Sequence, residues 1–218
     1  MIRVFAGRDI RESRGWVVFA ESLFANTKEP VSLAPLSGEQ RDGTNAFTYA
    51  RFLVPELCDY KGWAIFADGS DMMLRADIAE LYDLRDESKA VQVVQHDYQT
   101  KYKRKYVGTQ MEADNGSYPR KNWSSVVLWN CAHPANGMVT AKFIEQYGNQ
   151  MHRFFWLERD EIGALPMGWN HLVREQKQDP AAKLVHFTLG IPAFEYYAED
   201  EFSDEWRYYH ARANMVAA

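Results

Sequence analysis

The hydrophobic pattern changes its period several times along the chain. Short apolar runs, typical of buried strands, alternate with stretches in which apolar side chains recur every three or four positions, as in helices. The strands are predicted at 2–6, 31–36, 63–67, 90–95, 126–129 and 184–187, and the helices at 13–25, 47–57, 77–84 and 138–153. This alternation predicts an α/β fold in which helices flank the sheet. A chain of 218 residues also predicts one domain, spanning 1–218.

Composition narrows the class of protein. Charged residues make up 25% of the chain, and the net charge of −5 argues against a general nucleic-acid binder. The apolar runs are too short to cross a bilayer, so no transmembrane segment is predicted. The sequence begins without the long apolar core of a signal peptide. We therefore expect a cytoplasmic location, with peripheral contact at the inner face of the membrane as an alternative.

Two carboxylates follow directly after the apolar run 63–67. Asp68 and Asp71 would stand at the end of a buried strand, where two anions repel each other unless a cation lies between them. Hard oxygen ligands suit Mg²⁺ or Mn²⁺. His186 also ends a predicted strand, and its imidazole could complete the metal shell. The alternatives are a polar turn for the two acids and an ordinary core position for the histidine.

Further polar residues lie near predicted strand ends. Arg8 and Asp9 follow the first strand, at the sheet edge where nucleotides bind in α/β proteins. Arg51 lies in a mostly apolar helix and could reach a phosphate. The alternatives are a loop leading into a helix for the first pair and an arginine extending to water for the third residue. No glycine-rich dinucleotide motif or P-loop is present in the sequence.

Three other segments are candidates for substrate contact. Ser124 and Ser125 precede the strand at 126–129 and could bind a sugar hydroxyl, or could simply begin that strand. Asp160 and Glu161 could contact the sugar or act as a catalytic base, or could belong to a charged surface turn. The polar, basic stretch 98–121 has no clear period, and a loop of this length is usually functional or mobile.

Taken in order, these blocks resemble a GT-A glycosyltransferase close to glycosyltransferase family 8. The matching blocks run from residue 2 to residue 190, and their order carries the resemblance. They are IRVFAGRD, YARFLVPEL, the acidic strand end followed by RADIAEL, WSSVVLWN, IGALPMGWN and a late His-Phe-x-x-Gly. The family's Asp-x-Asp motif is one residue longer here, Asp68-Gly69-Ser70-Asp71, and Trp123-Ser124-Ser125 replaces its Asn-x-Gly.

The resemblance implies a GT-A, Rossmann-like fold with a mixed, mostly parallel sheet. It implies transfer of a sugar from a nucleotide-sugar, a UDP-sugar by expectation, to the hydroxyl of a glycan or other acceptor, with retention of anomeric configuration. Mn²⁺ or Mg²⁺ would be held by Asp68, Asp71 and His186. Asp9 matches the position near the base, and Arg51 matches the arginine near the donor.

Other functions fit parts of the same pattern. A nucleotidyltransferase also combines a metal, a nucleotide and an α/β sheet, although it more often carries a glycine-rich basic loop after the first strand. A binding module that has lost turnover would fit the lengthened aspartate motif. A plain interaction protein would show no metal-dependent nucleotide binding. The sequence leaves these alternatives open.

Overall fold

A computed structural model describes residues 1–38 and 45–215 of the chain. The α-helices of this part are α1 (Ser13–Asn26), α2 (Val54–Leu57), α3 (Ile78–Tyr82), α4 (Ala141–Tyr147) and α5 (Ser203–Ala213). The strands are β1 (Ile2–Gly7), β2 (Val31–Leu36), β3 (Trp63–Ala67), β4 (Met72–Leu74), β5 (Val91–Val93), β6 (Arg104–Lys105), β7 (Ala113–Asp114), β8 (Val126–Asn130), β9 (Ile162–Ala164), β10 (His171–Leu172) and β11 (Leu184–His186). Short 3₁₀ helices lie at Ile10–Glu12, Ala50–Leu53, Gly69–Asp71, Trp123–Ser125, Pro134–Met138, Gly148–Arg153, Arg159–Glu161, Met167–Asn170 and Glu195–Tyr197.

The described strands form a central sheet in the order β2-β1-β3-β8-β5-β9. Neighbouring strands are parallel except at β8, which runs antiparallel to both β3 and β5. The predicted mixed, mostly parallel sheet flanked by helices is therefore confirmed. Because β8 is reversed, its amino end lies beside the carboxyl end of β3, and Ala67 pairs with Val126.

A smaller sheet in the order β10-β11-β4 adjoins the central one. The chain passes from β3 to β4 through the 3₁₀ turn Gly69–Asp71, so the two acids of the aspartate motif lie where the sheets meet. β11 pairs antiparallel with β4, and His186 faces Met72 in that register. This pairing brings the late histidine to the position directly after the acidic turn.

Both faces of the central sheet are covered by apolar side chains. Along β3 the side chains alternate, as a strand requires. Ile65 and Ala67 join a cluster that includes Phe19 of α1, whereas Phe66 joins a second cluster on the other face. All five residues of β3 are buried. Burial on both faces fixes this strand firmly, and the acids that follow it start from a rigid base.

Two predicted helices are shorter and less regular than expected. The segment 47–57 forms the 3₁₀ helix Ala50–Leu53 and then the short α2, in which Pro55 occupies the first turn. The segment 138–153 forms α4 followed by a 3₁₀ helix, because Thr140 caps the start of α4 and Gly148 has a φ of 48°. The spacing of apolar residues predicted helical structure in both segments, but these backbone features shorten the α-helices.

The stretch 98–121 carries the β6–β7 hairpin, in which Arg104 pairs with Asp114. The stretch is therefore an ordered insertion, and a hydrogen bond from Tyr106 N to Leu189 O ties it to the rest of the chain. Within residues 1–38 and 45–215, no helix has the length and apolar character needed to cross a membrane.

Candidate active site

The acidic turn after β3 is held in place by close backbone contacts. Asp68 N donates to Ser125 O at 3.0 Å, and Asp71 N donates to Asp68 O at 3.1 Å. The turn lies directly against α1: a Cβ added at Gly15 would stand 1.9 Å from Ser70 O. At Gly69 an added Cβ would stand 2.9 Å from the Ala6 side chain. The turn therefore has no room to move toward the helix or β1.

Asp68, Asp71 and His186 converge, as the sequence predicted. Each offers one ligand atom, all of these atoms lie within 4.8 Å of one another, and all three residues are buried. His186 Nε2 is 3.4 Å from Asp71 Oδ2. Asp71 Oδ1 is buried without a hydrogen-bond partner among the described residues. Oxygen and imidazole ligands with an unpaired buried carboxylate oxygen fit a divalent cation.

Asn170 fixes the orientation of the histidine. Its amide nitrogen donates to Asn122 O and to Ser125 Oγ, both at 3.1 Å, so its Oδ1 is the free acceptor. That oxygen lies 2.9 Å from His186 Nδ1. Nδ1 therefore carries the proton in this arrangement, and Nε2 presents its lone pair toward Asp71. A second partner that sets the tautomer of a ligating histidine is a common feature of metal sites.

Arg51 supplies the fixed positive charge next to this group. Its Nη1 lies 2.8 Å from Asp68 Oδ1 and also donates to Ser124 O at 2.9 Å. The guanidinium carbon lies over the rings of Phe47 and Phe66, at 5.5 Å and 5.3 Å from their centroids. Burial raises the pKa of Asp68 to about 6, with Arg51 opposing this rise and Asp71 adding to it. Asp68 is thus an acid whose charge depends on its neighbours.

These groups open into a cavity of about 430 Å³. Among the described residues its lining includes the three converging side chains, Arg51, Ser124 and Ser125. The other lining residues are Asn45, Thr48, Lys105, Tyr106, Tyr118, Asn122, Asn149, His152, Arg153 and Thr188. The lining is mainly polar and combines the cations Arg51, Lys105 and Arg153 with two carboxylates, which suits a phosphorylated, hydroxyl-rich ligand.

His152 is a neutral imidazole in this lining. Its Nδ1 lies 2.8 Å from Ser124 Oγ, and its ring packs edge-on against Phe52 with centroids 5.2 Å apart. Burial lowers the pKa of His152 to about 3, and Arg51 adds to that shift. At neutral pH this side chain therefore offers hydrogen bonds without charge.

The structure places Asp9 and Arg8 outside the cavity lining. Both carboxylate oxygens of Asp9 accept from the Arg11 guanidinium, and Oδ2 also accepts from Ala46 N at 3.0 Å. Burial alone would raise the pKa of Asp9, but these hydrogen bonds hold it below its ordinary value. Arg8 packs over the Trp16 ring at 6.0 Å. Asp9 caps the following 3₁₀ helix, so its expected contact with a base stays a prediction.

Asp160 and Glu161 lie at the opposite edge of the sheet. Glu161 O accepts from Ala90 N, just before β5, whereas the acids of the turn follow the carboxyl end of β3, which runs in the same direction. Glu161 Oε2 accepts from Glu158 N and completes a capping box. The structure thus does not bring this pair to the cavity. Both residues belong to a charged turn at the start of β9.

Sequence reasoning missed or undervalued several lining residues. Asn170 and His152 stand at positions that no spacing or motif in the sequence marks as part of a site. Lys105 and Tyr118 lie in the long basic stretch, whose unusual length was the one available signal. The structure is needed here because these side chains reach the cavity from elements far apart in sequence.

Comparison with known structures places this geometry in context. The chain is similar to the galactosyltransferase LgtC in complex with donor and acceptor sugar analogs, with a TM-score of 0.64, 13% identity, and coverage of 99% of this chain and 98% of LgtC. An active-site mutant of LgtC gives a TM-score of 0.66 at 13% identity, with the same coverage. The apo form of the glycosyltransferase GlyE of Streptococcus pneumoniae gives 0.64 at 14% identity, covering 99% of this chain and 60% of GlyE. These likenesses show a GT-A-like fold; membership of family 8 stays a prediction.

No protein-family model matches the chain. In sequence it is 40% identical over 222 residues to Protein CDI of Arabidopsis thaliana, an alignment that covers 94% of this chain and 84% of that protein. At this identity and coverage, the chain belongs to the same family as Protein CDI.

Proposed function

We propose that the protein is a glycosyltransferase that moves a sugar from a nucleotide-sugar to an acceptor hydroxyl. The observation that carries this proposal is the convergence of Asp68, Asp71 and His186 in the lining of a polar cavity. The GT-A-like fold supports it, since the LgtC structure of that fold contains donor and acceptor sugar analogs. A UDP-sugar is the donor that we propose, on the family resemblance.

The converging triad would hold Mn²⁺ or Mg²⁺. When bound there, a divalent cation supplies positive charge against the diphosphate that leaves the anomeric carbon. The chain's own residues prepare the site for this charge. Asn170 aims the His186 lone pair, and Arg51 offsets the burial of Asp68. Lys105 adds a further positive charge at the cavity wall.

We propose retention of the anomeric configuration. The carboxylates in the described lining are Asp68 and Asp71, which are committed to the triad, so no separate acid there is free to serve as a base. His152 is too weak a base at neutral pH, because its pKa is about 3. In a retaining reaction the leaving phosphate oxygen can accept the proton of the acceptor hydroxyl. Ser124 and His152 are then placed to bind sugar hydroxyls.

The test is release of UDP from UDP-sugars by the purified chain with and without Mn²⁺, followed by NMR of the anomeric proton of the product. We expect metal-dependent release, loss of that release in Asp71→Asn, and a product anomer that matches the donor. Asp59→Asn is the matched control, because Asp59 pairs with Lys61 on the surface.

Other outcomes would identify the competing functions. Release of pyrophosphate would indicate a nucleotidyltransferase. Metal-dependent binding of nucleotide-sugars without turnover would indicate a binding module. Full activity in Asp71→Asn would overturn the assignment of the triad, and an inverted product would overturn retention alone.

A further inference from the structure

A second cavity of about 250 Å³ adjoins the main one. The two share Lys105, Tyr118, Asn122 and Thr188 in their linings. The remaining described residues around the second cavity are Asp114, Asn115, Gly116, Ser117 and Lys121. The acids and the histidine of the triad are absent from this described lining. The second cavity is therefore a neighbouring compartment, and its chemistry differs from that of the metal group.

Lys121 is the unusual residue of this compartment. It is 9% exposed, which is rare for a lysine that forms no ion pair with any carboxylate in residues 1–38 and 45–215. Its Nζ donates to Asn115 Oδ1 at 2.8 Å and to Gly116 O at 2.9 Å. An ammonium has three protons, so one donor remains after these two hydrogen bonds. Both accepting oxygens are uncharged, and of the described carboxylates Glu175 is the one that favours the charged form of Lys121.

The electrostatic balance of the compartment is positive. Lys105 is a second cation in the lining, and the acid in the same described lining, Asp114, is exposed and pairs with Arg104 at 2.7 Å. Burial lowers the pKa of Lys121 to about 8, Lys105 adds to this shift, and Glu175 opposes it. Two cations that disfavour each other in a concave site are stabilised when an anion lies between them.

Tyr118 provides a surface for a ring at the boundary of the two cavities. Its side chain is 44% exposed, and Lys121 Nζ lies 5.1 Å from the centroid of its ring. The apolar face of a sugar can pack on such a ring while its polar groups reach the neighbouring donors. A sugar placed here would lie next to the main cavity, with one end toward Lys121.

We propose that the second cavity binds the anionic group, a carboxylate or a phosphate, of a sugar acceptor. This inference rests on the proposed glycosyltransferase function and specifies the class of its acceptor as an acidic or phosphorylated sugar. Lys121 belongs to the second cavity alone, whereas Lys105 also faces the main cavity. Loss of Lys121 should therefore weaken the acceptor and spare the donor, while loss of Lys105 should weaken both.

The test is isothermal titration calorimetry on the full chain with glucose, glucuronate and glucose 6-phosphate, in the presence of saturating UDP and Mn²⁺ and again without them. A charge-assisted hydrogen bond is worth enough to predict binding of one anionic sugar about tenfold tighter than glucose. Glucuronate and glucose 6-phosphate separate a carboxylate from a phosphate. Equal affinities for all three sugars would overturn the proposal.

Three variants locate the binding. Lys121→Met should abolish the preference for the anionic sugar and leave UDP affinity unchanged. Lys103→Met is the matched control, since Lys103 is an exposed lysine of the same segment. Should Lys121→Met fail to fold, Lys105→Met serves instead, and it should also reduce the preference. A preference that survives in the folded lysine variants places the anion elsewhere and overturns the proposal.

The two proposals can fail separately. If UDP binds but no anionic sugar is preferred, the proposed acceptor class is wrong and the proposed glycosyltransferase function is retained. If anionic sugars bind through Lys121 while no nucleotide binds, the second cavity is an anion site and the proposed glycosyltransferase function is wrong.

Discussion

At the scale of single residues, the site depends on side chains that orient other side chains. Asn170 is fully buried, far from solvent, and its amide is anchored on one side by Asn122 and Ser125. On its other side, its Oδ1 accepts a hydrogen bond from His186 Nδ1. It therefore determines which nitrogen of the imidazole faces the acids, although it is outside the triad.

Replacing Asn170 should weaken the metal site. In Asn170→Ala the imidazole loses its orienting partner, and such losses typically reduce metal affinity about 10- to 100-fold. Titration of Mn²⁺ followed by electron paramagnetic resonance measures this affinity. Asn149→Ala is the matched control, because Asn149 lines the same cavity but accepts its hydrogen bond from the Tyr49 hydroxyl at 2.9 Å. Unchanged Mn²⁺ affinity in a folded Asn170→Ala variant would contradict the orienting role.

His152 should make stability depend on pH. Its folded-state pKa of about 3 is below the ordinary value of 6.5, so the unfolded chain takes up a proton first as pH falls. The contribution of the neutral His152 to the free energy of unfolding is therefore complete above pH 6.5. It is lost as pH falls from 6.5 toward 3, by about 1.4 kcal/mol per pH unit for this one group. Urea unfolding between pH 4 and 7 measures the free energy of unfolding of the wild type and of His152→Gln. We expect this free energy to fall less steeply with decreasing pH in the variant. Equal slopes would mean that the native histidine takes up a proton as readily as the unfolded one.

Single-residue chemistry was partly readable from the sequence. Asp68, Asp71 and His186 could be found because each lies at the end of an apolar run or within a few residues of it, where a strand end is expected. Asp160 and Glu161 precede a strand, so they fall at the other edge of the sheet. Lys121 gives no sequence signal, since its burial depends on how the segment around it folds.

At the scale of elements, the tight packing of α1 on the acidic turn positions the metal group. Gly15 and Gly69 allow the helix, the turn and β1 to approach closely. The strand and helix pattern predicted the elements on both sides of this contact. The closeness of the contact was not predictable, because it depends on which helix turn meets the carbonyl of Ser70.

A methyl group at Gly15 should disturb this packing. Alanine favours a helix by about 1 kcal/mol over glycine, but its Cβ would meet Ser70 O at 1.9 Å, and overpacking typically costs about 1–3 kcal/mol. We expect a net loss of stability in Gly15→Ala, with weaker Mn²⁺ binding because the turn shifts. Gly137→Ala is the matched control, since nothing lies within 4 Å of its added Cβ. Thermal unfolding compares the two variants, and a more stable Gly15→Ala protein would contradict the contact.

At the scale of the whole molecule, the cavity joins parts of the chain that lie far apart in sequence. Arg51 precedes β3, Ser124 precedes β8 and His186 ends β11 of the smaller sheet. The α/β layering followed from the alternation of strands and helices, and the mostly parallel order of the large sheet followed from the family resemblance. The reversed β8 did not, because a strand's direction leaves no mark in its own hydrophobic pattern.

Ligand binding should therefore stabilise the entire fold. At about 100 times its Kd, a ligand adds about 2.7 kcal/mol to the free energy of unfolding, which raises the Tm of a chain of this size by about 5–10 °C. We expect such a rise for UDP together with Mn²⁺, and a much smaller one for ADP or GDP. Differential scanning calorimetry measures it, and equal shifts for the three nucleotides would contradict a uridine-specific site.

The reversal of β8 has a practical consequence for redesign. The chain reaches the cavity on leaving β3 and again on approaching β8, so two segments from different parts of the sequence border the same cavity. Exchanging the turn before β8 would also disturb the metal group, because Ser125 O accepts from Asp68 N, and Asn122 O and Ser125 Oγ hold the amide of Asn170. Substrate preference and metal affinity are thus coupled engineering targets in this protein.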